Sequence, residues 1–280
     1  MSTVLGSTAS GGTLGGAFHN IQYAQANGAA LYMDAAIPQG AGPFPAAIIV
    51  HGGGWVRGDR RVDVGPLFAP LSHAHIAWFS IDYRLSDDIS QFGDAIEDVQ
   101  NAIHFVKAHA AEYRVDADRI ALVGESAGGQ LAAMAALHPD PGNDVKAVIL
   151  LYAPTDLVSL AKTSNFVPKE IRESLTGTPF EQMILARLGQ LSPVANVRRG
   201  APPFLLIHGT DDALVPFSQS RAMCERMRAA GASCRVYPVR GGGHGIRWWE
   251  AAHPHEAEAY KREMVRWLTA QLSTPNSHAS

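Results

Sequence analysis

Residues 122–138 read LVGESAGGQLAAMAALH, an apolar run that changes into an alanine-rich helical pattern. The change falls at residues 124–128, where a serine stands in the pattern G-x-S-x-G. On a sharp turn between a strand and a helix, such a serine is raised above the sheet, and the positive end of the helix dipole points toward its hydroxyl. The junction makes Ser126 a candidate nucleophile, with a purely structural glycine turn as the alternative.

Short apolar segments alternate with amphipathic helices on both sides of this junction. Strands are predicted at 30–37, 46–50, 76–83, 119–124, 145–152, 203–209 and 234–239. Helices are predicted over 96–110, over 218–231 and before the C-terminus. This alternation predicts an α/β fold with a mostly parallel central sheet and helices on both faces. The earliest strands have no predicted helix between them and are expected to be antiparallel.

A single domain is expected over residues 18–273. Residues 1–17 are rich in Gly, Ser and Thr and predict a flexible leader, and residues 274–280 predict a flexible tail. Residues 155–200 mix charged residues, Pro and Gly with short helical pieces such as PFEQMILARL. An insertion after a strand of an open parallel sheet lies over the edge where ligands bind, so a small lid is expected, with a plain loop as the alternative.

The composition is that of an ordinary globular protein. Of 280 residues, 46% are hydrophobic and 18% charged, and the formal net charge is −3. Without a block of like charges, neither nucleic acid nor an anionic membrane is an expected partner, and no apolar run approaches the roughly 20 residues of a membrane span. The N-terminus lacks the basic and apolar regions of a signal peptide. A secreted or periplasmic location is expected if a signal was trimmed, and a cytoplasmic one otherwise.

The chain has two cysteines, Cys224 and Cys234, at the two ends of one predicted helix-to-strand turn. Two small buried thiols are the usual state inside a cell. Cysteines at both ends of one turn favour a disulfide, which requires Cα atoms within about 7 Å and indicates an oxidising compartment.

A serine hydroxyl is a poor nucleophile unless a base and an orienting acid activate it. The segment LLIHGTDDALVP offers Asp211 and Asp212 directly after a predicted strand, and VYPVRGGGHGI offers His244 in a glycine-rich loop after the last one. Each candidate follows the carboxyl end of a strand, in the chain order Ser, Asp, His. That is the order of the α/β-hydrolases.

Residues 51–55 read HGGGW and follow an early predicted strand. Acyl transfer requires preorganised N–H donors for the oxyanion, and consecutive glycines can turn their amides toward a ligand without a Cβ in the way. The predicted donors are Gly53, Gly54 and Ala127, the residue after the nucleophile.

Together, HGGGW, GESAGG, HGTDDALVP and GGGHG resemble the α/β-hydrolase esterases over nearly the whole chain past the leader. The tryptophan followed by VRGD resembles the branch of bacterial feruloyl and acetyl-xylan esterases more than the hormone-sensitive-lipase branch, and DYRLS at 82–86 is similar to both. In those families the acid is the second residue after HGT. The resemblance therefore implies Asp212 rather than Asp211 as the acid.

The resemblance implies hydrolysis of short-acyl or aryl carboxylic esters through an acyl-enzyme, on a small-molecule or carbohydrate-linked substrate. No metal and no organic cofactor is implied. Cleavage of an amide, as by an aryl-formamidase or a small-peptide hydrolase, uses the same residue types and stays an alternative. A binding protein of this fold without catalysis is a second alternative, although such proteins usually lack a triad member or the oxyanion glycines.

Other residues have weaker functional signals. Trp55, Trp248 and Trp249 are expected near the oxyanion and histidine loops, either as an aromatic wall for the substrate or as packing beneath the loops. Asp82, Arg84 and Asp98 are expected to form a structural ion pair. The sequence carries no signal for the oligomeric state.

Overall fold

The computed structural model describes residues 15–88, 91–163 and 177–273. Within these ranges, eight strands form one sheet in the order β1-β2-β4-β3-β5-β6-β7-β8. The strands are β1 (Gly16–Ala26), β2 (Ala29–Ile37), β3 (Phe44–Val50), β4 (Ala77–Ile81), β5 (Val115–Glu125), β6 (Ala147–Leu151), β7 (Phe204–Gly209) and β8 (Cys234–Val239). β2 is antiparallel to both of its neighbours, and all other neighbouring pairs are parallel. The predicted mostly parallel sheet is confirmed.

Two features of the early strands differ from the sequence prediction. β3 is parallel to β4, because a short helical segment between them returns the chain over one face of the sheet. β1 was not predicted as a strand, since it is a mostly exposed edge strand with little apolar alternation. It begins at Gly16, two residues before the expected start of the domain, and joins β2 through Asn27 and Gly28, which both have positive φ as a tight hairpin turn requires.

Helices cover both faces of the sheet, as predicted. Those described are α1 (Phe68–His73), α2 (Phe92–Ala108), α3 (Ala127–Leu137), α4 (Leu157–Thr163), α5 (Pro179–Gln190), α6 (Ser218–Ala229), α7 (Ile246–Ala252) and α8 (Pro254–Ser273). One core layer lies beneath α2, α3 and α6, and the other beneath α1, α7 and α8. Strand side chains alternate between the two layers, so Leu122 joins the first and Val123 the second. None of the described helices is both long and apolar enough to cross a membrane.

The insertion lies between β6 and β7, where a lid was predicted. Its described parts are α4 and α5, and residues 164–176 are outside the described ranges. Thr178 caps α5 by accepting the N–H of Glu181, whose carboxylate accepts the N–H of Gly177. No residue of α5 is fully buried. The lid function stays a prediction.

Cys224 in α6 and Cys234 at the start of β8 form a disulfide, with Cα atoms 5.2 Å apart. The favoured pairing is confirmed. Cys234 lies at the amino end of its strand, at the sheet edge opposite to the one where the catalytic residues are expected.

Candidate active site

Ser126 lies between β5 and α3 with φ 50° and ψ −120°, in a strained conformation for a residue with a side chain. The flanking glycines are required by close approach. A Cβ at Gly124 would lie 2.5 Å from the carbonyl oxygen of Gly128, and a Cβ at Gly128 would lie 2.1 Å from that of His51. The junction is therefore the sharp elbow that the sequence predicts.

Ser126, His244 and Asp212 lie in one hydrogen-bonded row. Ser126 Oγ is 2.9 Å from His244 Nε2, and His244 Nδ1 is 2.7 Å from Asp212 Oδ2. A carboxylate only accepts, so Nδ1 carries the hydrogen and Nε2 is free to accept the serine proton. The adjacent Asp211 is exposed and accepts from the hydroxyl of Thr210. The geometry therefore places Asp212, and not Asp211, against the imidazole.

The carboxylate of Asp212 is buried and surrounded by donors. Oδ1 accepts the N–H groups of Leu214 and Val215, each at 2.9 Å. Burial by itself would raise the pKa of Asp212, but the contacts with His208 and His244 outweigh it and hold this pKa far below its usual range. The carboxylate is therefore ionised at neutral pH and can stabilise an imidazolium.

The loop after β3 brings its glycines beside the nucleophile. Gly53 and Gly54 have positive φ, and a Cβ at Gly52 would lie 3.1 Å from Ser126 Cβ. Among the residues that the structure describes, the N–H groups of Gly53, Gly54 and Ala127 have no hydrogen-bond acceptor. Free amides next to the serine are what an oxyanion requires.

His51 and Tyr83 support this loop from below. The His51 ring stacks on Tyr83 with centroids 4.4 Å apart, and the Tyr83 hydroxyl donates to the His51 carbonyl at 3.1 Å. Burial lowers the pKa of His51, so its imidazole is neutral at neutral pH. A Cβ at Gly58 would lie 2.2 Å from His51 Nδ1, which explains the glycine there.

The predicted ion pair of the DYRLS segment forms with one change of partner. Arg84 binds Asp98 in a buried pair at 2.7 Å, as expected. Asp82 instead pairs with Arg60, which follows the glycine loop. Both contacts hold loops at the carboxyl edge of the sheet.

The tryptophans do not form a common substrate wall. Trp55 is 5% exposed, stacks on Phe92 and donates Nε1–H to Gln130. Trp249 is fully buried and donates to the carbonyl of Gly243 at 2.8 Å. These two rings pack beneath the loops, which is the second of the two alternatives given for them. Trp248 is 45% exposed, and its contact with substrate stays a prediction.

Glu125 and Tyr152 lie near the nucleophile, and no sequence pattern predicted a role for either. The Glu125 carboxylate accepts the N–H of Gly52 in a long hydrogen bond of 3.4 Å and lies against the Tyr152 hydroxyl, which accepts the N–H of Ile246 at 2.9 Å. The Tyr152 ring meets the His244 ring edge-on, with centroids 4.7 Å apart. Glu125 and Tyr152 thus join the glycine loop to the histidine loop. No group of three side chains that could hold a metal ion occurs in the described ranges.

Comparison with known proteins places the chain in a family. Residues 33–227 match the family model described as BD-FAE. The chain belongs to the BD-FAE family. The BD-FAE match includes Ser126 and Asp212 and ends before His244, which the structure places beside them.

Curated relatives of this BD-FAE chain include two proteins of Mycobacterium tuberculosis. It is 32% identical to the probable carboxylic ester hydrolase LipM over 70% of this chain and 48% of LipM. It is 35% identical to the esterase LipC over 73% of this chain and 53% of LipC. The chain spans about half the length of the curated relatives it matches.

Solved structures match over nearly their whole length. Esterase Est2 of Thermogutta terrifontis superposes with a TM-score of 0.74 at 25% identity, over 93% of this chain and 94% of Est2. A truncated carbohydrate esterase from gut microbiota superposes with a TM-score of 0.76 at 26% identity, over 95% and 99% of the two chains. The fold is the α/β-hydrolase fold.

Proposed function

We propose that the protein is a serine carboxylesterase that hydrolyses short-acyl or aryl esters through an acyl-enzyme. The observation that carries this proposal is the unbroken row from Ser126 Oγ through His244 to Asp212, with contacts of 2.9 and 2.7 Å. The esterase relatives support the same reaction class. A binding protein without catalysis would not need this row beside three free amides.

In the proposed reaction, His244 Nε2 removes the hydroxyl proton as Ser126 Oγ attacks the ester carbonyl carbon. Ionised Asp212 stabilises the resulting imidazolium. The amides of Gly53, Gly54 and Ala127 donate to the oxyanion of the tetrahedral intermediate. As the intermediate collapses, His244 returns the proton to the departing alkoxide, which leaves as the alcohol.

Deacylation repeats these steps with water as the nucleophile. His244 takes a proton from a water molecule as the water oxygen attacks the acyl carbon. It then protonates Ser126 Oγ as the carboxylic acid is released. The chain's own residues supply each proton transfer.

The short-acyl and carbohydrate-linked classes of substrate have separate support. Est2 of Thermogutta terrifontis has been solved with butyrate and with propionate bound, which favours small acyl groups here. The carbohydrate esterase from gut microbiota favours an ester on a sugar, in line with the feruloyl and acetyl-xylan esterase resemblance.

The decisive test is Ser126→Ala with a short p-nitrophenyl ester. We expect kcat to fall by a factor on the order of 10⁴ or more, with residual turnover only from binding and the oxyanion amides. Paraoxon gives a second readout, since Est2 is phosphorylated by it: mass spectrometry should find the phosphoryl group on Ser126 and none in Ser126→Ala. Near-normal turnover by the variant would exclude the proposal.

A substrate panel tests the finer classes. It compares acetylated xylan, methyl ferulate, p-nitrophenyl esters of rising chain length and an aryl formamide, all with the same enzyme sample. We expect kcat/KM to be highest for acetyl, short-chain or aryl esters. A preference for the formamide would move the assignment to amide cleavage.

A further inference from the structure

His208 lies on β7, four residues before the proposed acid, and takes no part in the proposed reaction. Its side chain has no exposed surface. Nδ1 lies 2.7 Å from the hydroxyl oxygen of Ser220 on α6, and Nε2 lies 2.8 Å from the carbonyl oxygen of Val215. The same Nε2 is 3.4 Å from Asp212 Oδ2. Both ring nitrogens of this buried imidazole therefore have polar partners, as buried polar groups require.

The partners show which ring nitrogen donates to the turn. The Val215 carbonyl can only accept, so Nε2 must carry a hydrogen. The Ser220 hydroxyl can donate or accept, and its contact with Nδ1 holds the other side of the ring in place. The Nε2–H of His208 therefore points into the turn formed by residues 212–215.

That turn determines where the Asp212 carboxylate points. Oδ1 is held by the backbone N–H groups of Leu214 and Val215 within the turn itself. Oδ2 is left to face two imidazoles, His244 at 2.7 Å and His208 at 3.4 Å. Without the His208 N–H, the Val215 carbonyl would lose this donor, and the end of the turn would lose its hydrogen bond to β7.

We propose that His208, fixed by Ser220, is a positioning residue that holds the 212–215 turn and thereby aims Asp212 Oδ2 at His244. The inference rests on the proposed function of Ser126, Asp212 and His244 as a triad. His208 acts through Asp212 and does not touch the substrate. A small displacement of Asp212 would misalign the imidazole at the moment when it takes the serine proton.

The test compares His208→Leu with His208→Gln. Leu has a similar bulk and no N–H, whereas the Gln amide can place an N–H close to the position of Nε2. We expect His208→Leu to lower kcat for a short p-nitrophenyl ester at least about tenfold, as displacements in a catalytic site do, with KM changed less than about twofold. His208→Gln should recover most of the lost kcat. A rise in KM with kcat unchanged would overturn the inference, and so would an equal fall in kcat in both variants.

A double-mutant cycle with Asp212→Asn separates positioning from general damage. If His208 acts through the carboxylate, His208→Leu should have less than about a twofold effect on the rate of serine phosphorylation by paraoxon in the Asp212→Asn background. The same factor in both backgrounds would show that His208 has only a structural role.

A folding failure of His208→Leu does not end the test. Ser220→Ala keeps the imidazole and removes the hydroxyl that holds the ring through Nδ1, and it should lower kcat about threefold with KM unchanged. Unchanged kcat in this variant would contradict the proposal. Ser126→Ala distinguishes the two proposals: if it retains activity, the triad itself is wrong, whereas lost activity with a fully active His208→Leu overturns only the role of His208.

Discussion

Trp55 donates its indole N–H to Gln130 Oε1 across 3.0 Å, which ties the glycine loop to the helix that begins at the nucleophile. The other end of the same amide donates to the carbonyl of Leu191 at 2.8 Å, where the insertion returns toward the sheet. Gln130 is fully buried, and Trp55 has a strained positive φ of 66°. The side-chain amide of Gln130 thus connects the glycine loop, helix α3 and the segment that follows α5 of the insertion.

Gln130→Leu keeps the bulk of the side chain but removes its hydrogen bonds with the Trp55 N–H and the Leu191 carbonyl. We expect a loss of about 2–6 kcal/mol in the free energy of unfolding, since removing the hydrogen-bond partner of a buried polar group costs about 1–3 kcal/mol and two such bonds are lost. A displaced loop should also lower kcat about tenfold. Denaturant unfolding and ester kinetics measure the two effects. Gln182→Leu, on the exposed side of α5, is the matched control and should change neither; equal behaviour of the two variants would contradict a role for Gln130.

Glu125 is a carboxyl group whose ionisation opposes folding. Burial raises the pKa of Glu125, although the Tyr152 hydroxyl and the Gly52 N–H lower it in part. An acid whose pKa is raised in the native state costs no stability below its unfolded pKa of about 4.3, and destabilises increasingly as pH rises through the native pKa. Removing the charge while keeping an acceptor should therefore stabilise the protein at higher pH.

We expect the Tm of Glu125→Gln minus that of the wild type to be larger at pH 8 than at pH 4. Activity should stay within about fivefold, because the amide oxygen can still accept the Gly52 N–H. Glu125→Ala lacks an acceptor and should lower kcat about tenfold as the two loops separate. Calorimetry at both pH values and ester kinetics check this. If this Tm difference became smaller as pH rises, ionised Glu125 would not destabilise the protein, and the prediction would be wrong.

The proposed triad residues could be predicted from the sequence because each follows an apolar strand. In a parallel sheet, the carboxyl ends of these strands lie at the same edge. Ser126 and His244 needed only chain order and glycine-rich turns to be placed. Gln130 could not be singled out, because one polar residue within an alanine-rich helix does not reveal that the helix is buried on every side. Nor could His208, since its role depends on Ser220, which reaches it from a neighbouring helix. The β1–β2 hairpin was not predicted, because β1 has too little apolar alternation to mark a strand before the Asn27-Gly28 pair, although such a pair is typical of a hairpin turn.

The two adjacent aspartates give a matched pair for testing the acid. Asp212→Asn replaces an acceptor facing His244 Nδ1 by an amide that can present a donor, so the imidazole is held in the wrong tautomer. We expect kcat to fall by a factor of about 10³–10⁴. Asp211→Asn, on an exposed side chain, should stay within about twofold. Steady-state kinetics with a short p-nitrophenyl ester decide between them, and a larger loss at Asp211 would overturn the assignment.

The Cys224–Cys234 disulfide should stabilise the protein without affecting catalysis. The two cysteines are 10 residues apart in sequence. In the chain-entropy model, a cross-link of this length lowers the conformational entropy of the unfolded chain and so raises the free energy of unfolding by about 3 kcal/mol. The bond lies at the amino end of β8, whereas His244 follows its carboxyl end, so kcat at 25 °C should be unchanged. We expect Cys224→Ala with Cys234→Ala to lower Tm by about 5–10 °C. Thermal unfolding with and without dithiothreitol supplies the control: reductant should lower the Tm of the wild type toward that of the double variant and leave the double variant unaffected. If the double variant had the same Tm as the oxidised wild type, the disulfide would contribute nothing to stability.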